Sequence, residues 1–318
     1  QYQGKVSNQN VAITSGCNQA FCASISSFTG ENDEVIIPTP WYFNHHMWLQ
    51  MAGVKSIPLD TDANMNPIIE KAEALITDRT RAIVLVSPNN PSGAIYSNQL
   101  LQKFFDLCKS NQIRLIIDET YKDFHPNASQ PHTLLENNNW DQVLTILYSF
   151  SKTYRMTGHR VGALLTSKKN LIEIEKALDT FTVCPPQLGQ YAANWGLNNL
   201  EAWAEDRRTE ILQRAKHFSE KFQPLSAAGW SLKGCGAYFA FVEHPFEDGS
   251  NILAPLILRD QGILLMPGTM FYPKHNPLGS RSFRIAFANI DKNKISTLLE
   301  RLKDLSYQRL NSKNNMIN

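Results

Sequence analysis

A lysine amine, several hydroxyls, guanidinium groups and glycines fall within one short run, Ser149-Phe150-Ser151-Lys152-Thr153-Tyr154-Arg155-Met156-Thr157-Gly158-His159-Arg160-Val161-Gly162, directly after an apolar strand pattern. A lysine amine condenses with an aldehyde, and hydroxyls beside an arginine neutralise a phosphate dianion through charge-assisted hydrogen bonds. Together these groups could hold a phosphorylated aldehyde. A lone lysine is most often a solvated surface residue, so the neighbours of Lys152 carry the weight.

Four further segments offer chemistry, each with a plainer structural use. In Ile116-Ile117-Asp118-Glu119-Thr120-Tyr121 an acid ends an apolar strand, where ligand crevices of parallel sheets open; a helix cap is the ordinary alternative. Thr14-Ser15-Gly16-Cys17-Asn18 is a small-residue loop that leads into a helix, whose free N–H groups attract phosphate or are merely capped. Trp41 and Tyr42 follow a strand and could face a ligand or pack the core, and Asn90-Pro91-Ser92-Gly93 alone is a turn. Arg284 stands in an otherwise apolar strand, which is costly unless its guanidinium meets an anion, either a structural acid or a ligand.

These residues need elements to hold them. A helical stretch is expected at Asn18 to Phe28, and short apolar strands at Glu34 to Ile37, Lys55 to Leu59, Ala82 to Val86 and Arg114 to Ile117. Helical patterns at Asn44 to Ala52, Pro67 to Ile76 and Asn98 to Lys109 alternate with them, the order of a parallel sheet with crossover helices. Val143 to Leu147 and Val161 to Leu165 add strands. After Gln187 one long helical pattern runs past Trp195 and Trp203 towards Phe222, and beyond it the order is irregular, with strands near Tyr238 to Val242 and Phe283 to Phe287. A domain change is expected near residue 205, giving 1–205 and 206–318.

Composition narrows the class. At 318 residues, 42% apolar and 19% charged, the chain can bury a large core and divide into two domains. A formal charge of +2, from 31 basic and 29 acidic residues, gives no field that would steer it to nucleic acid or membrane, so small molecules are the expected partners. No apolar run approaches the roughly 18 residues of a membrane span, and the start has no signal-peptide pattern. Five cysteines at irregular spacing suggest neither a disulfide frame nor a metal site, and a cytoplasmic home is expected.

The spacing Ser-x-Ser-Lys followed by Gly-x-Arg-x-Gly resembles the cofactor-lysine signature of the class I and II aminotransferases, fold-type I enzymes that use pyridoxal 5′-phosphate (PLP). The resemblance implies an α/β fold: a large, mixed but mostly parallel sheet with helices on both faces, and a smaller α+β carboxyl-terminal domain. It implies a homodimer with its sites at the interface, and ping-pong transfer of an amino group between an amino acid and a 2-oxo acid. Lys152 would hold PLP and move the substrate's α-proton, while Ser149, Arg160 and the loop Gly16, Cys17 and Asn18 hold the phosphate. Asp118 would pair with the ring nitrogen, Tyr121 and Asn90 would bond the ring's phenolic oxygen, and Tyr42, with Trp41 in reserve, would stack on the ring. Arg284 would grip the substrate carboxylate, with Asn90 beside it.

Gly234-Cys235-Gly236-Ala237-Tyr238-Phe239 and Met266-Pro267-Gly268-Thr269-Met270-Phe271 extend the likeness through the carboxyl-terminal third. Two departures stand out: His159 stands where many relatives carry a larger apolar or aromatic residue, and the arm that relatives place before the phosphate loop is largely absent, as in a fragment, a chain whose start was not recorded, or a shortened enzyme. Other chemistry on the same fold, by a carbon–sulfur lyase, a decarboxylase or a cyclopropane-forming synthase, shares these motifs. A non-catalytic regulatory body is a further alternative.

Overall fold

The computed structural model describes residues 2–127 and 130–314, with side chains as far as 306. The chain divides into two compact units. The first takes in residues 1–62, 66–89 and 95–209, and the second residues 63–65, 90–94 and 210–318.

Strands and helices alternate through the first unit: β1 (Val11–Thr14), α1 (Cys17–Phe28), β2 (Glu34–Pro38), α2 (Phe43–Met51), β3 (Lys55–Leu59), α3 (Ile69–Ala74), β4 (Thr80–Val86), α4 (Asn98–Ser110), β5 (Arg114–Asp118), β6 (Leu144–Ser149), α5 (Phe150–Thr153), β7 (Gly162–Leu165), α6 (Lys168–Thr182) and α7 (Gln187–Asn199). The sheet runs β1-β7-β6-β5-β4-β2-β3. The β2–β3, β2–β4, β4–β5 and β5–β6 pairs are parallel, and β7 lies antiparallel to both β1 and β6. Near-continuous apolar runs in β2, β4 and β5 are buried, as central parallel strands require.

Local sequence explains the helices. In α4, Leu101, Phe104, Phe105 and Cys108 are buried one helical face apart, and the Ser97 hydroxyl caps the first turn by accepting from Leu100 N–H. Ser167 caps α6 in the same way, accepting from Asn170 N–H.

Strand direction decides where side chains gather. Because β7 alone is reversed, the carboxyl ends of β1, β2, β5 and β6 and the amino end of β7 share one edge of the sheet. Gly162 pairs with both Thr14 and Ser149, which brings the loops after β1 and β6 and the turn before β7 side by side. Ligands of such sheets bind outside the carboxyl ends.

Helix α8 (Glu201–Lys221) crosses the boundary between the units. The second unit continues with α9 (Gln223–Ala227), β8 (Ser231–Gly236), β9 (Phe239–Glu243), α10 (Ser250–Gln261), β10 (Met266–Pro267), α11 (Pro277–Arg281), β11 (Ser282–Ala286) and α12 (Lys292–Asn314). Its antiparallel sheet runs β10-β11-β9-β8. Phe218, Phe222, Trp230, Phe283 and Phe287 are at the centre of its core.

The structure departs from the sequence expectations in several places. The long helix after Gln187 is two helices, since α7 ends at Asn199 with Leu200 as its cap and α8 begins at Glu201. The 67–76 helix shrinks to α3. Helix α6 was not anticipated, because its buried Leu171 and Ile174 share the helix with exposed Ile172 and Phe181, which blurs the period. Strand β1 escaped notice because it is only four residues long and half-exposed.

Candidate active site

In the first unit, Lys152 and Tyr121 come together although they are distant in sequence. Lys152 lies in the four-residue α5, directly after β6, with its Nζ 5.8 Å from the centroid of the Tyr121 ring. Ser149 caps α5, its Oγ accepting from Ser151 N–H at 3.2 Å, and is buried. Tyr121 is buried three residues beyond the end of β5.

Asp118 closes β5 with only 3% of its surface exposed. Its Oδ1 accepts from Thr120 N–H at 2.9 Å, and its Oδ2 is 3.3 Å from His45 Nε2. Burial pushes this carboxyl up, but the hydrogen bond and charge of His45, with the Thr120 hydroxyl and N–H, outweigh it and hold the group below the usual carboxylate range. The His45 ring is stacked on Phe21 of α1, centroids 3.9 Å apart, so it cannot swing away from the acid without losing packing.

The loop after β1 makes a cradle at the start of α1. Gly16 adopts φ +90°, open to glycine, and a Cβ there would collide with the Arg160 guanidinium. Arg160 Nη2 reaches the Ser15 carbonyl at 3.4 Å, and its Nη1 donates to the Thr157 carbonyl at 3.1 Å. Gln19 braces the loop, accepting from Ser15 N–H at 2.6 Å and donating to Thr182 Oγ1 at 2.7 Å. The Cys17 thiol turns towards Asp118 and Thr120, and burial followed by the Asp118 charge pushes it up, so Cys17 offers the cradle its backbone rather than its sulfur.

Tyr42 precedes the first residue of α2, its hydroxyl accepting from Asn44 Nδ2 at 2.8 Å and donating to Asn18 Oδ1 at 3.4 Å. Burial, then the nearby Asp118 and Cys17, push its phenol up to about 12. Its ring stands edge-on to His45 at 5.0 Å. Trp41, by contrast, is core: it is buried and stacked on His46 at 4.2 Å.

Within the second unit, Arg284 of β11 donates from Nη1 to Asn90 Oδ1 at 2.9 Å. Its guanidinium carbon is 4.6 Å from the Phe239 ring centroid and 5.3 Å from that of Phe271. A guanidinium framed by an amide and aromatic rings suits a planar carboxylate.

A phosphorylated pyridine aldehyde fits the donors of the first unit. The Ser15 hydroxyl oxygen is buried without a hydrogen-bond partner at the start of α1, beside Arg160, which is where an anion would complete the set. Sequence reasoning missed His45, Thr120 and Ser15 as contributors. His45 had a signal, since it shares the buried face of α2 with Leu49 one turn on.

A family model described as "Aminotransferase class I and II" matches residues 1–302. The chain is 26% identical over 310 residues to an aspartate aminotransferase of Thermotoga maritima, covering 96% of this chain and 77% of that one. It is 28% identical to an aromatic aminotransferase of Arabidopsis thaliana over 278 residues, 84% of this chain and 68% of that protein. The crystal structure of an aromatic aminotransferase from Pyrococcus horikoshii superposes with a TM-score of 0.85 at 25% identity, covering 94% of this chain and 80% of that one. Nothing in these matches favours a lyase, a decarboxylase or a regulatory body.

Proposed function

The chain belongs to the class I and II aminotransferases, PLP-dependent enzymes that move an amino group between an amino acid and a 2-oxo acid, and from that premise we propose that Lys152 is its cofactor-attachment and proton-transfer residue. Bound here, PLP supplies an electron sink, its protonated ring drawing electrons from the bond that breaks at the substrate's α-carbon.

The protein's own residues do the rest. Asp118, held ionised by His45 and Thr120, lends the negative charge that keeps the ring nitrogen protonated. Tyr121 donates to the ring's phenolic oxygen, and Tyr42 covers the ring face. The backbone of Gly16, Cys17 and Asn18, with Ser149 and Arg160, holds the phosphate. Arg284 takes the substrate carboxylate in a two-pronged contact, and the Lys152 amine removes the α-proton and returns it one atom away. Asn90 orients that guanidinium.

The observation that best supports these roles is Asp118: a carboxylate buried at a strand's end, kept charged by two built partners, at the same sheet edge as Lys152. We also propose a homodimer, supported by the exposed Leu188, Tyr191, Trp195 and Leu197 of α7, an apolar face that suits a second copy. A cytoplasmic home is supported by five unpaired cysteines.

The roles are tested by adding single amino acids, aspartate and the aromatic ones among them, to the purified PLP-bound protein. A stoichiometric loss of the bound cofactor's colour with release of the matching 2-oxo acid is expected for at least one. Release of carbon dioxide, or of pyruvate with ammonia, in place of that conversion would contradict transamination.

A further inference from the structure

Asp123 has no part in the roles above, yet it ties the turn carrying Tyr121 to the helix carrying Lys152. It lies in a 3-10 turn, Lys122–Phe124, directly after Tyr121. Its Oδ2 accepts from the Thr153 hydroxyl at 2.7 Å and from the Tyr148 phenol at 2.6 Å. Lys122 Nζ is 3.4 Å from its Oδ1, with both side chains 13% exposed. Thr153 is the residue after Lys152 and is buried, and Tyr148 precedes Ser149 on β6.

Phenols also face this carboxylate. Burial raises Tyr148 and Tyr154, and the Asp123 charge raises both further, so both stay neutral donors at ordinary pH. Tyr2, raised first by burial and then by Glu119, also senses Asp123. Lys122 is the cation, its Nζ 4.9 Å from the Tyr148 ring centroid and 5.4 Å from that of Tyr2.

Helix α5 is four residues long, far below the length at which a helix holds itself in water. Its first turn is capped by Ser149, and the hydroxyl of its last residue, Thr153, is fastened from outside by Asp123. We propose that Asp123 is a positioning residue: through Thr153 and Tyr148 it fixes the Lys152 helix against the Tyr121 turn and so sets where the lysine amine stands. The inference rests on Lys152 being the attachment residue.

The test compares Thr153→Val, which keeps shape and loses the hydroxyl, with Thr153→Ser, which keeps the hydroxyl, and with Asp123→Asn. Thr153→Val should lower kcat by roughly 10- to 100-fold with KM little changed, the usual effect of loosening a reacting group by a fraction of an ångström. Thr153→Ser should behave as wild type. Asp123→Asn should move the pH midpoint of the bound cofactor's absorbance change downward, because a lost carboxylate no longer favours the protonated form of a nearby nitrogen. In cofactor-free protein, Thr153→Val should speed amide exchange in both Phe150–Thr153 and Lys122–Phe124. A Thr153→Val protein that matches wild type in kcat and exchange overturns the proposal, as does a Thr153→Ser protein as impaired as Thr153→Val or an Asp123→Asn protein with an unmoved midpoint. A Lys152→Ala protein that still attached PLP covalently would instead overturn the underlying assignment, whatever the Thr153 variants did.

Discussion

At the scale of single residues the site is a problem of keeping charges where burial opposes them. Asp118 would hold its proton if burial acted alone, and His45 with Thr120 reverses that. Because its folded-state pKa lies below the unfolded value of about 3.9, the stability Asp118 lends is fully present above roughly pH 4 and is lost as the pH falls through the lower folded value. His45→Phe keeps a ring against Phe21 and removes the imidazole. Its urea midpoints, followed between about pH 3 and 6, should therefore fall less steeply on acidification than in wild type, because less of the Asp118 contribution remains to be lost; equal slopes would contradict the role given to His45. The Lys152 and Asp118 segments could be singled out in the sequence because each motif is contiguous and its neighbours are chemically telling. His45 could not, since its partner lies on a distant strand and a buried histidine on an apolar helix face usually signals packing.

Among the elements, close backbone approach decides more than side-chain chemistry. Gly93 has φ +73°, and a Cβ there would collide with the backbone of Gly236 at the end of β8, inside the second unit that also holds Asn90 and Arg284. Gly93→Ala should cost about 1–3 kcal/mol in urea unfolding, through left-handed strain and the clash. Gly30→Ala, whose Cβ would meet nothing nearer than Asp33 Oδ2 at 3.8 Å, serves as the control and should change little. Equal stability of the two variants would contradict this account of the Gly93 turn. The strand-helix alternation through β5 was legible because buried parallel strands read as short apolar runs between turns. The reversed β7 and the short, half-exposed β1 were not, because nothing in a strand's own composition states its direction and an edge strand carries a weak apolar signal.

For the whole molecule, the family assignment rests on a match running through residues 1–302, and the second unit's antiparallel sheet carries Arg284 on β11 just as the first unit's sheet carries Asp118 on β5. Architecture and cofactor chemistry could be read from sequence because motifs in both units follow the family's order. The identity of the amino acid could not, because side-chain preference depends on pocket shape, which residue types alone do not fix. The central claim is that one lysine, Lys152, carries the cofactor. Borohydride reduction of the PLP-loaded protein, followed by proteolysis and mass spectrometry, reads this directly. A single phosphopyridoxyl label on the peptide containing Lys152, absent from Lys152→Ala, is the expected result; a label on another lysine, or none in protein that has taken up PLP, would contradict it.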